Sequence, residues 1–325
     1  MISVVIPLFN KAPFVRRAVD SVLRQSCSDF ECIVVDDGST DGGGEIVKGI
    51  RDSRLRVIRQ PNGGVSAARN RGITEAVHPL VALLDADDEW LPGFLDAGLA
   101  LHRQRPGLVA CFSNYRHAGT DRPAFCGTAS GSRELGDYFA FCLSNGGRGM
   151  WTSAVMANRE RLISAGGFPL NRSMGEDLDT WARLAWSGGI GFIPDVLAVY
   201  HLGDGACARS GGEPVLEKNP ASCDIQDTYV AWSRAGRIPS SLAESSEACV
   251  AFFRLLDMHT ALLQERPERA RFLYAGLPAN QRWSVMGLSG RLALLVPAAR
   301  RLVPGLGRHL AVRLNAFRWR ERQPR

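Results

Sequence analysis

Residues 79–88 read Pro-Leu-Val-Ala-Leu-Leu-Asp-Ala-Asp-Asp, and they restrict the fold more than any other stretch of the chain. Five apolar residues in a row, Leu80 to Leu84, suit a strand buried on both faces, as in a parallel sheet. Three carboxylates then arrive together at its carboxyl end. In extended chain Asp85 and Asp87 point to one side, and Ala86 and Asp88 to the other. Like charges placed this way repel, and a divalent cation beside them relieves the repulsion. Oxygen ligands of this kind suit Mg²⁺ or Mn²⁺. A solvated acidic turn is the plain alternative, and so short a motif does not decide between the two.

The first half of the chain repeats the strand-then-turn plan. Residues 2–6 form a first strand that ends at Pro7-Leu8-Phe9-Asn10. A helix follows, with Pro13 in its first turn and Phe14, Val15, Ala18, Val19, Val22 and Leu23 at helical spacing. Residues 31–35 form a second strand ending at Asp36-Asp37-Gly38-Ser39-Thr40-Asp41. A helix through Ile46, Val47 and Ile50 and a third strand over 55–58 lead to a glycine loop and helix spanning 62–72. Alternating strands and helices with short turns predict a doubly wound sheet, whose ligand lies beyond the carboxyl ends of the strands. Three of those ends carry special residues: 7–10, 36–37 and 85–87. No G-x-G-x-x-G follows the first strand, and no G-x-x-x-x-G-K-[ST] loop is present. With neither glycine cradle, a metal is the natural group to neutralise phosphates.

Farther on, strands are expected at 108–112 and 151–156, the latter followed by a short helix to Ser164. Asp177 opens a helix with an apolar face of Leu178, Trp181, Ala182, Leu184 and Ala185. Carboxylates in a helix's first turn are favoured by its dipole, which is the structural explanation for Glu176 and Asp177. Closing strands are expected at 190–194 and 196–201. Beyond residue 206 helical patterns dominate, at 248–263 and 268–274. The division expected is a catalytic domain over 1–205 and a helical C-terminal region over 206–325.

The chain has 325 residues, a net charge of +6 and a pI near 9.0, which favour anionic partners. Its start reads as a strand and not a signal peptide, and no apolar run is long enough to span a bilayer. Eight cysteines show no C-x-x-C pair, so reduced thiols in a cytoplasmic setting are expected. Residues 282–325 interleave arginine with leucine and tryptophan. Such a segment fits a basic amphipathic surface on the inner face of an anionic membrane, or else a helical cap with solvated arginines. Pro297 and Pro304 divide it into short pieces. No nucleic-acid module is present, so nucleic acid is not expected as a partner.

Six elements in order resemble the family-2 glycosyltransferases, which have the GT-A fold. They are Val4–Asn10, Asp36–Asp41, Asn62-Gly63-Gly64 through Gly72, Asp85-Ala86-Asp87-Asp88, Gly166-Gly167-Phe168 and Glu176-Asp177. The resemblance covers residues 1 to about 205. It implies a nucleotide-diphosphate sugar as donor, a UDP-sugar foremost, and an inverting transfer to a hydroxyl of a glycan or lipid-linked acceptor, with Mn²⁺ or Mg²⁺ as cofactor. Pro7 and Phe9 would lie against the base, and Asp37 would accept from its ring N–H. Arg69 would approach the nucleotide. Asp85 would lie near the ribose or the metal, with Ala86 among the donor-binding residues. Asp87 would hold the metal, and His201 is a further metal candidate. Asp177 matches the general base. Two rivals stand beside this reading. A nucleotidyltransferase would carry a glycine- and basic-rich loop after its first strand, where this chain has Pro-Leu-Phe-Asn. A non-catalytic sugar-nucleotide-binding relative would not need Asp87 and Asp177.

Overall fold

The computed structural model of the chain describes residues 1–126, 130–170, 172, 175–201, 225–263, 267–275 and 277. They group into two compact units, Met1–Gly136 with Met150–Asn219, and Asp137–Gly149 with Pro220–Arg325. The first unit opens with β1 (Ile2–Leu8), α1 (Ala12–Leu23), β2 (Phe30–Asp36), α2 (Gly43–Lys48), β3 (Leu55–Arg59), α3 (Val65–Glu75) and β4 (Leu80–Leu83). This is the alternation the sequence pattern predicts. There follow β5 (Glu89–Trp90), α4 (Phe94–Gln104), β6 (Leu108–His117) and β7 (Arg133–Leu135), then α5 (Tyr138–Ser144), which belongs to the second unit. The first unit resumes with β8 (Val155–Asn158), α6 (Arg159–Ser164), α7 (Glu176–Ser187) and β9 (Gly189–Tyr200).

Among the described residues nine strands form one sheet, in the order β3-β2-β1-β4-β8-β6-β9-β5, with β7 also on β9. Pairing is parallel between β1 and β2, β1 and β4, β2 and β3, and β6 and β9. β8 runs antiparallel to both β4 and β6, and β5 and β7 run antiparallel to β9. It follows that β1, β2, β3, β4, β6 and β9 all point one way. Their carboxyl ends, and the start of β8, gather at one end of a mixed α/β, mostly parallel sheet.

β1 is apolar apart from Ser3 because both its faces are covered. Ile2, Val4, Ile6 and Leu8 pack in one core with Val15, Ala18, Val19 and Val22 of α1. Val5 points the other way, onto Gly72 of α3; a Cβ at Gly72 would fall inside the envelope of Val5 Cγ1. The missing side chain therefore sets how closely α3 approaches the sheet. The first strand was expected to stop at Pro7 but runs on to Leu8, with Pro7 opposite Val35. Val5 C=O accepts Leu84 N–H from the β4 side. Pro7, two residues on, faces the same way past the end of β4, so its missing N–H breaks no ladder bond.

Two further expectations are corrected. Residues 151–156 do not form one strand; Thr152–Ala154 is a 3₁₀ turn leading into β8. The two closing strands are a single strand, β9, whose register against β6 slips between Ile193 and Val196. Pro194 sits in that slip, where a residue without an N–H is tolerated.

In the second unit, α5 is joined by α8 (Gln226–Arg234), α9 (Ser240–Leu263) and α10 (Pro267–Ala275). Arg254 of α9 is buried and donates Nε–H to the Leu273 carbonyl at 2.9 Å, tying α9 to α10. The basic segment 282–325 and residues 202–224 lie outside the described residues. Among the described residues no helix is long and apolar enough to cross a membrane.

Candidate active site

The turns after β1 and β2 are cross-linked by short polar side chains. Asn10 has a positive φ of 51°, which asparagine tolerates. Its Oδ1 accepts Thr40 N–H at 2.9 Å, and its own N–H donates to Ser39 Oγ at 3.2 Å. Asp41 accepts the N–H groups of Ala12 at 2.7 Å and Gly43 at 3.0 Å, joining the starts of α1 and α2. Asp37 is buried. Its carboxylate accepts from Gln60 Nε2 at 2.7 Å, Gly63 N–H at 3.0 Å and Gly64 N–H at 2.8 Å. Asp37 therefore anchors the glycine loop that leads into α3, and Oδ2, with a single bond, keeps a lone pair. Pro7 is buried within β1, whereas Phe9 lies beyond the strand end and is half-buried.

The turn after β4 departs from the expected extended chain. Asp88 N–H donates to the Asp85 carbonyl at 3.0 Å, so Asp85–Asp88 is a tight turn and its side chains fan out instead of alternating. Each carboxylate has its own partner. Asp85 Oδ1 accepts from Arg69 Nη2 at 2.8 Å, and Asp87 Oδ2 accepts from Lys11 Nζ at 2.6 Å. Arg17 donates to the carbonyl of Asp87. Asp88, 1% exposed, accepts Ser153 Oγ–H at 2.6 Å and His201 N–H at 3.2 Å. Burial, with Asp85 and then Asp87 nearby, holds the Asp88 carboxyl well above the usual range. Ser153 is the hub of this turn: its hydroxyl also accepts Asp85 N–H, and its carbonyl accepts the Trp90 indole N–H at 2.6 Å. Ala86 packs into the core. The imidazole of His201 meets Glu89 at 3.2 Å.

Asp85 and Asp87 each use one carboxylate oxygen in these bonds, leaving the other for a cation. Hard oxygen donors of this kind fit Mg²⁺ or Mn²⁺. Among the described residues no group of three or more His, Cys, Asp or Glu side chains is arranged to hold a metal. Mg²⁺ characteristically takes one or two carboxylates together with substrate phosphates, and this turn offers that donor set.

Arg69 joins the acidic turn to α7. It is 4% exposed, donates to Glu176 at 2.9 Å and to Asp85 at 2.8 Å, and lies 5.0 Å from the Phe168 ring centroid. Burial alone would lower its pKa; Asp85, Glu176 and Asp177 outweigh that and hold it above its ordinary value. Arg69 is thus a fixed cation and a strut. The half-buried Asp177, next to it, has its carboxyl pushed up to about 6, by burial first and then by Glu176 and Asp85. Arg69 and the Leu178 N–H oppose the shift.

The loop before α7 is clamped from both sides. Asn70 donates to the Phe168 carbonyl at 2.7 Å and accepts Phe168 N–H at 2.8 Å. Arg183 donates to the carbonyls of Ala165 and Gly167 and pairs with Asp179. A Cβ on Gly167, at φ 59°, would stand 2.7 Å from Asn70 Oδ1. The sequence reading passed over Lys11, Ser153 and Arg183. Lys11 directly follows the Pro7–Asn10 turn, and that adjacency was its only signal.

Residues 3–141 match the family model described as Glycosyl transferase family 2. The glycosyltransferase EpsJ of Bacillus subtilis (strain 168) is 46% identical over 90 residues, 27% of this chain and 26% of EpsJ. A glycosyltransferase of Rickettsia felis is 28% identical over 205 residues, 63% of this chain and 33% of its own length. The chondroitin synthase of Pasteurella multocida is 30% identical over 123 residues, 37% of this chain and 13% of that one. The chain thus spans about a third or less of these relatives' lengths. Among solved structures, Staphylococcus aureus TarS 1–349 in complex with UDP-GlcNAc superposes with a TM-score of 0.69 at 16% identity, covering 99% of this chain and 92% of that one. The mannosyltransferase PcManGT of Pyrobaculum calidifontis, in complex with GDP-Man and Mn²⁺, gives 0.54 at 19% identity, covering 97% and 86%. At such identities the likeness concerns the fold. Residues 3–141 thus match glycosyl transferase family 2, and the sheet they open is of the GT-A type.

Proposed function

We propose that the chain transfers a sugar from a nucleotide-diphosphate donor, a UDP-sugar foremost, to a hydroxyl of a glycan or lipid-linked acceptor, with inversion at the anomeric carbon. The observation that carries this reading is Asp177: a half-buried carboxylate with its pKa pushed up to about 6, coupled through Arg69 to the acidic turn. The solved complexes of TarS with UDP-GlcNAc and of PcManGT with GDP-Man support the donor class.

Phe9 offers an accessible ring to the base, with Pro7 behind it, and Asp37 keeps a lone pair for a ring N–H. Asp85 and the backbone at Ala86 take the ribose. Asp87, with the donor's diphosphate oxygens, would hold Mn²⁺ or Mg²⁺; His201, whose Nε2 meets Glu89, would join through Nδ1 or by leaving Glu89. A cation held there neutralises charge on the departing nucleotide diphosphate. Lys11, already on Asp87, adds fixed positive charge on the same side. Arg69 keeps Asp85 and α7 in register. Asp177 accepts the proton of the acceptor hydroxyl as its oxygen attacks the anomeric carbon opposite the leaving group. The new C–O bond forms while the bond to the diphosphate breaks, so one displacement inverts the centre. The work is assigned to the cytoplasmic face of a membrane, where the basic segment 282–325 would meet anionic lipid.

A thermal-shift panel of UDP, GDP, dTDP and CMP, each with and without Mn²⁺, tests the donor site on wild type and Asp87→Ala. A ligand that binds only the folded state raises the melting temperature. One nucleotide should stabilise wild type in a metal-dependent way and lose that dependence in the variant. Unchanged metal dependence in Asp87→Ala would remove Asp87 as the ligand.

A further inference from the structure

Beside the acidic turn lies a cluster of aromatic rings that neither the family motifs nor the mechanism above uses. Phe125 and Phe192 form its floor, 2% and 0% exposed, with centroids 5.6 Å apart. Four half-buried rings, Tyr115 and His117 of β6, Trp151, and Tyr200 of β9, join that floor through Tyr115. Tyr115 meets Phe125 edge-on at 5.9 Å, and Trp151 lies 4.6 Å from Tyr115 and 5.0 Å from Tyr200. His117 is the cross-strand neighbour of Tyr200, 5.3 Å between ring centroids. The composition is graded. Both floor rings are phenylalanine, and every rim ring carries a hydroxyl or a ring nitrogen. That is the pattern of a surface that presents apolar faces and polar tips to the same visitor. His117 also has a buried Nδ1 with no hydrogen-bond partner, a desolvated group left uncompensated until something polar reaches it.

The position is fixed by the sheet. Tyr115 and His117 end β6, Tyr200 ends β9, and Trp151 precedes the turn into antiparallel β8, so all four stand at the end of the sheet that carries Asp85–Asp88. Two of them are tied to the turn through the chain itself. Trp151 is two residues from Ser153, and Tyr200 is one residue from His201; both Ser153 and His201 donate to Asp88.

We infer that Tyr115, His117, Trp151 and Tyr200 form a sugar-binding platform that seats one pyranose ring of the acceptor. This deepens the proposed glycosyl transfer and rests on it. The C–H face of a pyranose is weakly positive and meets the negative face of an aromatic ring, while its rim of hydroxyls meets the polar tips. A lipid tail would leave the buried His117 Nδ1 without a partner.

The test uses the full chain and five probes: the methyl glycosides of glucose, galactose, mannose, N-acetylglucosamine and rhamnose, each followed by saturation-transfer NMR. At least one should bind wild type saturably. Its dissociation constant should rise about tenfold in Trp151→Ala and in Tyr200→Ala, and stay within a few-fold in Trp151→Phe. The nucleotide-dependent thermal shift, measured on the same samples, should not change. Should Trp151→Ala fail to fold, Tyr200→Ala and Trp151→Phe carry the comparison. Saturable binding to none of the five, or equal binding in the ring-deleted and wild-type chains, overturns the platform while leaving the donor site standing. Loss of the nucleotide shift from wild type itself would instead overturn the transfer reading.

Discussion

A carboxylate serves as a base near neutrality only if its surroundings resist its ionisation, and burial, followed by Glu176, supplies that resistance for Asp177. Burial and Glu176 push Asp177 up to about 6, while Arg69 draws it down. Turnover should therefore rise with pH through an apparent pKa near 6, because the protonated form below that value cannot accept the acceptor's proton. Glu176→Gln removes the like charge and keeps an oxygen for Arg69, so a pH–rate profile should show that limb moving to lower pH. Asp177→Asn should reduce turnover by about 10²-fold or more, with the nucleotide-dependent thermal shift retained. The same variant has a stability signature. A pKa raised from 3.8 to about 6 means the folded state holds the proton more tightly. The stabilisation is complete below the unfolded value and is lost as pH climbs through about 6. Asparagine never ionises, so the melting temperature of Asp177→Asn relative to wild type should improve between pH 4 and pH 8. Asp177 and Asp85–Asp88 were legible as candidates because carboxylates cluster there in sequence. Lys11 and Ser153 were not, since their partners lie 76 and 65 residues away and nothing local marks them. Nor could the sequence show that Asp88 turns inward, which depends on Ser153 arriving from the 3₁₀ turn before β8 and His201 from just beyond β9.

At the scale of elements, α3 carries both a strut and a spacer. Arg69 and Gly72 are three residues apart, hence on neighbouring positions of one helix face. Gly72 lets the helix lie against Val5, and that closeness places Arg69 between Asp85 and Glu176. Gly72→Ala should force the helix outward and destabilise the fold by about 1–3 kcal/mol, read from the urea midpoint. It should also weaken transfer, since Arg69 moves with the helix. Val5→Ala in the same chain opens space for the new methyl, and the double variant should recover more stability than the two single effects added together predict. Alternating strands and helices were readable because β1, β2 and β4 are buried on both faces and so are mostly apolar, with Ser3 and Glu31 the polar residues inside β1 and β2. Departures occurred where hydrogen bonds override pattern. The apolar stretch around Trp151–Met156 breaks into a 3₁₀ turn that presents the Ser153 hydroxyl to Asp88. β9 reads as two strands only because Pro194 falls in its bulge.

For the molecule as a whole, charge separates the chain into unequal parts. Residues 282–325 contain ten arginines and one glutamate, a net +9, in a chain whose total is +6; residues 1–281 are therefore net −3. The basic pI belongs to the last 44 residues and not to the sheet that carries the candidate site. A catalytic surface selected for general attraction to polyanions would spread its lysines and arginines around the acidic turn. Here Lys11 and Arg69 at that turn are each already paired with a carboxylate, and Arg17 is engaged on the Asp87 carbonyl. An anionic lipid surface is a partner that a separate basic segment can engage without competing for the donor's phosphates. The full chain should therefore sediment with vesicles containing phosphatidylglycerol and not with pure phosphatidylcholine, at about 0.1 M salt, and should release as the Debye length shrinks to about 3 Å near 1 M. Changing Arg313, Arg318, Arg320 and Arg322 to glutamine removes four charges near the end of the segment. Each is worth about 1 kcal/mol near such a surface, so vesicle binding should fall by orders of magnitude while the nucleotide-dependent thermal shift stays as in wild type. Equal sedimentation with neutral and anionic vesicles would show that charge is not what brings the chain to lipid, and would return the segment to the role of a cap.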